Sequence, residues 1–113
     1  MEKRDMKRWH LIYYLRVFDR NTNNLIGNLV DITTEGIMLI SEKPINTNQI
    51  YYFRMDLPQA VEGKKEIQFD CQSLWCKNDV NPDFYDTGFK FVNISDNARK
   101  IITELINTFF FRD

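Results

Sequence analysis

Four basic side chains crowd the amino end of the chain, Lys3, Arg4, Lys7 and Arg8 in KRDMKRW, and a strand's length further on DITTEG interrupts an apolar run. A guanidinium is a planar fork of donors that meets a phosphate two bonds at a time and stacks flat on a ring. A carboxylate next to a hydroxyl can read the polar edge of a base. Arg4 and Arg8 together with Asp31, Thr33 and Gly36 would therefore suit a ligand carrying both phosphates and a polar base edge. The plain alternative is that the arginines are solvated charges balanced by Glu2 and Asp5, and that Asp31, Thr33 and Gly36 simply build a turn.

The rest of the composition narrows the choice. With 113 residues, the length suits one domain with its own core. Hydrophobic residues at 43% and aromatics at 14% are globular values, and a net charge of -1 removes any global pull toward nucleic acid or membrane. An anion site must therefore be local. No apolar run approaches a membrane span, and the stretch after the first charges is broken by His10 and Arg16, unlike a signal peptide. Cys71 and Cys76, five apart in one expected strand, are placed on opposite faces and read as reduced thiols, consistent with a cytoplasmic protein. His10, the single histidine, has no partner for a metal, and neither cysteine has a histidine with which to form a dyad. No cofactor, metal site or catalytic set is expected.

Periodicity supplies the elements that would position these groups. Strands are predicted from His10 to Phe18, from Leu25 with Ile26, Val30 and Ile32 on one face and Asp31 and Thr33 on the other, and over GIMLIS from Gly36. A fourth runs from Ile50 to Leu57, stopped by Pro58, with QAVEGKK as a loop. In the fifth, Ile67, Phe69, Cys71, Ser73 and Trp75 share the core face; in the sixth, over FYDTGFKFV, Tyr85, Thr87, Phe89 and Phe91 share theirs. The period then changes. Ala98, Ile101, Ile102, Leu105, Ile106, Phe109 and Phe110 form a helical stripe with Ser95 as N-cap. The expected fold is all-β with one helix: a six-stranded antiparallel barrel closed by a C-terminal α-helix.

On these two stretches the chain resembles the PilZ family, bacterial domains that bind cyclic dimeric GMP (c-di-GMP). Arg4 and Arg8 match its RxxxR motif, with Lys3 where a further basic residue is common. Asp31, Thr33 and Gly36 match its D/NxSxxG motif, with threonine in place of the usual serine, and YDTGFKFV looks like the family's late strand. The resemblance implies a PilZ-type barrel over residues 10–92, a basic leader over 1–9 and a helix over 95–111, as a single domain. It also implies that c-di-GMP is held by Arg4, Arg8, Asp31, Thr33 and Gly36.

The chemistry is compatible with those roles. Each arginine can contact phosphate or guanine O6 and N7, Asp31 can accept from guanine N1 and N2, and the Thr33 hydroxyl can donate or accept. Gly36, lacking a β-carbon, is expected in a left-handed turn that admits the ligand. The extra methyl of Thr33 either leaves binding intact or crowds the base. Trp9 is a secondary candidate for stacking, with packing as its ordinary role.

The leading reading is a c-di-GMP receptor whose leader folds over the ligand and signals to a protein partner, in motility, pilus or biofilm control. An alternative is a PilZ-like domain without nucleotide that acts by protein contact. A remoter one, an OB-like barrel for single-stranded nucleic acid, fits the aromatics but not the charge. INTFFFRD ends the helix with Phe111 off the core stripe, so a homodimer or protein partner is expected through the C-terminal helix.

Overall fold

In the computed structural model, residues 15–109 are described. The elements are β1 (Arg16–Asp19), β2 (Leu25–Ile32), β3 (Gly36–Ser41), β4 (Ile50–Val61), β5 (Lys64–Asn78), β6 (Tyr85–Asn93) and the helix α1 (Asp96–Phe109). All neighbouring strands are antiparallel and the barrel closes in the order β1-β2-β3-β6-β5-β4. The fold is thus the six-stranded barrel with one C-terminal helix that the periodicity predicts. Of the first expected strand, residues 10–14 lie outside the described residues, as do Phe110 and Phe111 at the other end.

Turn chemistry explains how the strands follow one another. Between β1 and β2, Asp19 Oδ1 accepts from the backbone N–H of Asn21 at 2.7 Å and of Thr22 at 3.2 Å, and Asn23 takes a left-handed φ of 63°. Asparagine tolerates that region better than other side chains do. The connection from β4 to β5 differs from the expected loop. Only Glu62 and Gly63 stand between the strands, both at positive φ (54° and 78°), as a two-residue turn matching the ribbon's twist requires. Pro58 does not stop β4. The ladder skips from Asp56↔Glu66 to Val61↔Lys64, so the irregular stretch containing Pro58 needs no donor from it.

Two further departures from simple alternation reorient side chains. In β2 the pairing passes from Leu29↔Leu39 to Asp31↔Met38, leaving Val30 as an extra residue. Leu29 and Ile32, three apart, are both buried, whereas Val30 was expected to share Ile32's face. In β5 the pairing passes from Ser73↔Phe89 to Trp75↔Gly88, leaving Leu74 extra. Trp75 therefore leaves the core face expected for it and is 40% exposed. The same bulge returns Cys76 to the face of Cys71 and Ser73, opposite the buried Thr87, instead of setting the two cysteines on opposite faces. Both cysteines are free thiols.

The core is aromatic at its centre. Phe53 packs edge-on against Phe69 and Phe89, with ring centroids 6.3 and 5.3 Å apart. Leu29, Leu39, Met55 and Val17 surround them. Ser95 Oγ accepts the Ala98 N–H at 3.0 Å and starts α1 as its cap. From there Ile101, Ile102 and Leu105 enter the core fully buried. Because β2, β4 and β6 all run toward the same end, the β2–β3 turn, the β4–β5 turn and the start of α1 share one end of the barrel. The chain also enters β1 at that end. Among the described residues, no helix is long and apolar enough to cross a membrane.

Burial pushes the Cys71 thiol up, and the Asp70 carboxylate adds to the shift. The folded chain then keeps a proton that the unfolded chain releases, so stability is full below the ordinary thiol range and falls as pH rises through it. Urea titration should find the protein about 1 kcal/mol less stable near pH ~10 than at neutrality from this group, and Cys71→Ala should remove that part of the pH dependence. An identical dependence in the variant would contradict it.

Candidate functional site

The turn from Thr33 to Gly36 is built by its own hydroxyl. Thr33 Oγ1 accepts the N–H groups of Glu35 at 3.0 Å and Gly36 at 3.3 Å, and the Thr33 N–H donates to Gly36 O at 2.9 Å. With both acceptor positions of the hydroxyl occupied, its proton is left to donate outward. Asp31 is exposed, and its Oδ1 accepts the Ile32 N–H at 2.9 Å. The carboxylate therefore leans along the strand with its outer side toward solvent.

Gly36 plays a different part from the one expected. Among the glycines, positive φ is found at Gly63 and not at Gly36, so no left-handed turn explains it. A β-carbon at Gly36 would lie 2.0 Å from the carbonyl oxygen of Phe89 and 3.0 Å from Lys90 Cα. The missing side chain lets β6 press against the turn, and the Phe91 N–H then donates to Glu35 O at 2.9 Å.

These residues open onto a groove of about 310 Å³ on the outer wall, lined by Asp31, Thr33, Glu35, Gly36, Met38, Leu74, Trp75, Gly88 and Lys90 among others. The two bulges make it. In strict alternation after Leu29, Asp31 would point inward, and after Ser73 so would Trp75; one extra residue in each strand turns the carboxylate and the indole outward together. Trp75 lies across Gly88, where a β-carbon would sit 2.5 Å from the indole Nε1 and Cε2. Lys77 Nζ is 5.5 Å from the Trp75 ring centroid. Ser73 anchors β5 where its bulge begins, its hydroxyl donating to Asn46 O at 2.6 Å and accepting the Gln49 N–H at 3.2 Å.

Three of the five primary residues expected from the sequence, Asp31, Thr33 and Gly36, thus line one groove. Arg4 and Arg8, with Lys3 and Trp9, lie outside the described residues. Trp75 and Lys90 were missed; the glycine of YDTGFKFV was the visible trace of the indole lying over it. Among the described residues, no cluster of three or more His, Cys, Asp or Glu side chains could hold a metal ion. Near the β5–β6 turn, burial and the neighbouring Asp79 carboxylate push the Asp86 carboxyl above its ordinary range.

Comparison with known proteins gives the family. A PilZ domain model matches residues 2–108. The chain belongs to the PilZ family. Among solved structures, the fold is similar to that of the Bacillus subtilis inhibitor of motility MotI/DgrA, with a TM-score of 0.66 at 12% identity, covering 82% of this chain and 44% of that one. It is also similar to Borreliella burgdorferi PlzA in complex with c-di-GMP, with a TM-score of 0.54 at 9% identity, covering 96% of this chain and 52% of that one. At these identities the likeness is one of fold, and this chain spans about half the length of each. No curated protein sequence matches the chain.

Because the Thr33 hydroxyl holds two backbone donors, Thr33→Val should lower stability by about 1 kcal/mol, as loss of a capping oxygen does, while Thr33→Ser should be close to neutral. Urea denaturation of both variants checks this. A loss in Thr33→Ser with none in Thr33→Val would mean that the methyl group, not the oxygen, holds the turn.

Proposed function

We propose that this PilZ domain is a c-di-GMP receptor that binds the nucleotide in the groove at Asp31, Thr33 and Gly36 and has no catalytic role of its own. The observation that carries the reading is the convergence of a carboxylate, a hydroxyl proton and an exposed indole on one wall of a PilZ barrel. Asp31 would accept from guanine N1 and N2, and Thr33 would donate to an acceptor of the ligand. Trp75 offers a flat apolar face on which a base can stack, and Lys90 stands at the rim as a cation for phosphate. Gly36 keeps the groove floor free of a side chain.

The second half of the site would come from the leader. Leu15 O accepts the Leu29 N–H at 2.8 Å, which fixes the start of the described chain at the end of the barrel that carries the turn. Arg8, seven residues earlier, has a reach of about 24 Å from there, enough to cross to Asp31. Arg4 and Arg8 would close on the phosphates and guanine edges, and ordering the leader around the ligand would change the surface that a protein partner meets. The downstream process, motility, pilus or biofilm control in a bacterial cytoplasm, is the setting in which such a receptor would serve.

Calorimetry with c-di-GMP tests the reading. The unaltered protein should bind. Arg8→Ala and Asp31→Ala should each weaken binding by about 10-fold to 100-fold, the loss of a charged hydrogen-bonding partner, and Trp75→Ala by about 10-fold through lost stacking. GTP at equal concentration should produce no comparable heat. Absence of binding by the unaltered protein at high concentration would overturn the proposal.

A further inference from the structure

Among the described residues, one long-range side-chain bond ties the turn of the groove to α1. Arg99 Nη1 donates to the carbonyl oxygen of Thr34 at 2.8 Å, joining residues 65 apart in the chain. Arg99 is itself fixed within α1, its N–H donating to Ser95 O at 2.9 Å and its carbonyl accepting the Thr103 hydroxyl at 3.1 Å. The next residue, Lys100, reaches Glu62 Oε1 at 3.8 Å on the β4–β5 turn. The opposite face of the helix, Ile101, Ile102 and Leu105, is buried in the barrel end. One helix thus seats in the core while a side chain on its outer face holds the backbone between the two motif residues Thr33 and Gly36.

We propose that Arg99 is a positioning residue that couples the Thr33–Gly36 turn to α1, so that filling the groove and seating the helix reinforce one another. The proposal rests on the c-di-GMP reading for its ligand, but the coupling itself belongs to the ligand-free protein. A group that engages Asp31 and the Thr33 hydroxyl narrows the orientations of the turn, and with them the place where the Thr34 carbonyl can meet the guanidinium. A helix held at that place presents the turn ready for ligand, and the same coupling must operate in reverse. Both ends of the bond are exposed, so the coupling is modest, a severalfold change rather than an all-or-none switch. The chain enters β1 and α1 begins at the same barrel end, which makes α1 a second surface on which a partner could sense the ligand.

Hydrogen exchange read by mass spectrometry tests the coupling in two arms. In the first, without nucleotide, Ile102→Ala loosens α1 from inside the barrel. Exchange over residues 33–36 should then rise about threefold in the Arg99 background and not in Arg99→Ala, with Arg99→Lys intermediate because it keeps one donor. In the second arm, saturating c-di-GMP should slow exchange in α1 of the unaltered protein, and this response should be lost in Arg99→Ala although that variant still binds. If the turn loosens equally with and without Arg99, or if α1 responds to nucleotide equally in both, the coupling role is wrong. Failure of the unaltered protein to bind would instead remove the c-di-GMP reading, and the first arm would still decide the coupling.

Discussion

The close approach of β6 to the β2–β3 turn is the constraint on which the site depends. A β-carbon at Gly36 would meet the Phe89 carbonyl oxygen at 2.0 Å, so only glycine lets the two strands pair at that point without a shift of backbone. Once they pair, Phe91 fixes Glu35, Thr33 closes the turn with its hydroxyl, and Arg99 reaches the Thr34 carbonyl from the helix. The turn is thereby held from the strand behind it, from within and from the helix beside it. Under the proposed reading, a ligand arriving there would meet groups already in place and spend little on ordering them.

The groove on the outer wall owes its chemistry to two errors of register. Alternation counted from the buried Leu29 and Ser73 would send Asp31 and Trp75 inward, where a charged carboxylate is costly. One extra residue in β2 and one in β5 turn both outward onto neighbouring parts of the surface, while Leu29, Ile32 and Ser73 keep the interior closed. The bulges keep the barrel packed while a carboxylate and an indole stand on its wall. Glycine at 88 completes the arrangement by giving the indole a surface to lie on.

These particulars mark what could be read from sequence. The strand positions, the helix stripe through Leu105 and the Ser95 cap were legible because period and local capping are properties of neighbouring residues. Asp31, Thr33 and Gly36 were legible as a motif, although Gly36 serves strand approach rather than a left-handed turn. The bulges were not legible, since they are set by the pairing of β2 with β3 and of β5 with β6, partners that are not fixed by local pattern. For the same reason Trp75 was given to the core, the two cysteines to opposite faces, and Pro58 the power to end a strand whose ladder in fact skips over it. Arg99 carried no local signal at all; only the fold brings it to Thr34.

A nitrogen–proton NMR titration with c-di-GMP reads binding at the groove residue by residue. The Trp75 indole N–H and the backbone amides of Glu35 and Gly36 should shift together and saturate at a single concentration of nucleotide. Shifts gathered instead around Ile26, Ser41 and Phe84, at the other end of the barrel, would contradict it, as would a spectrum that does not change.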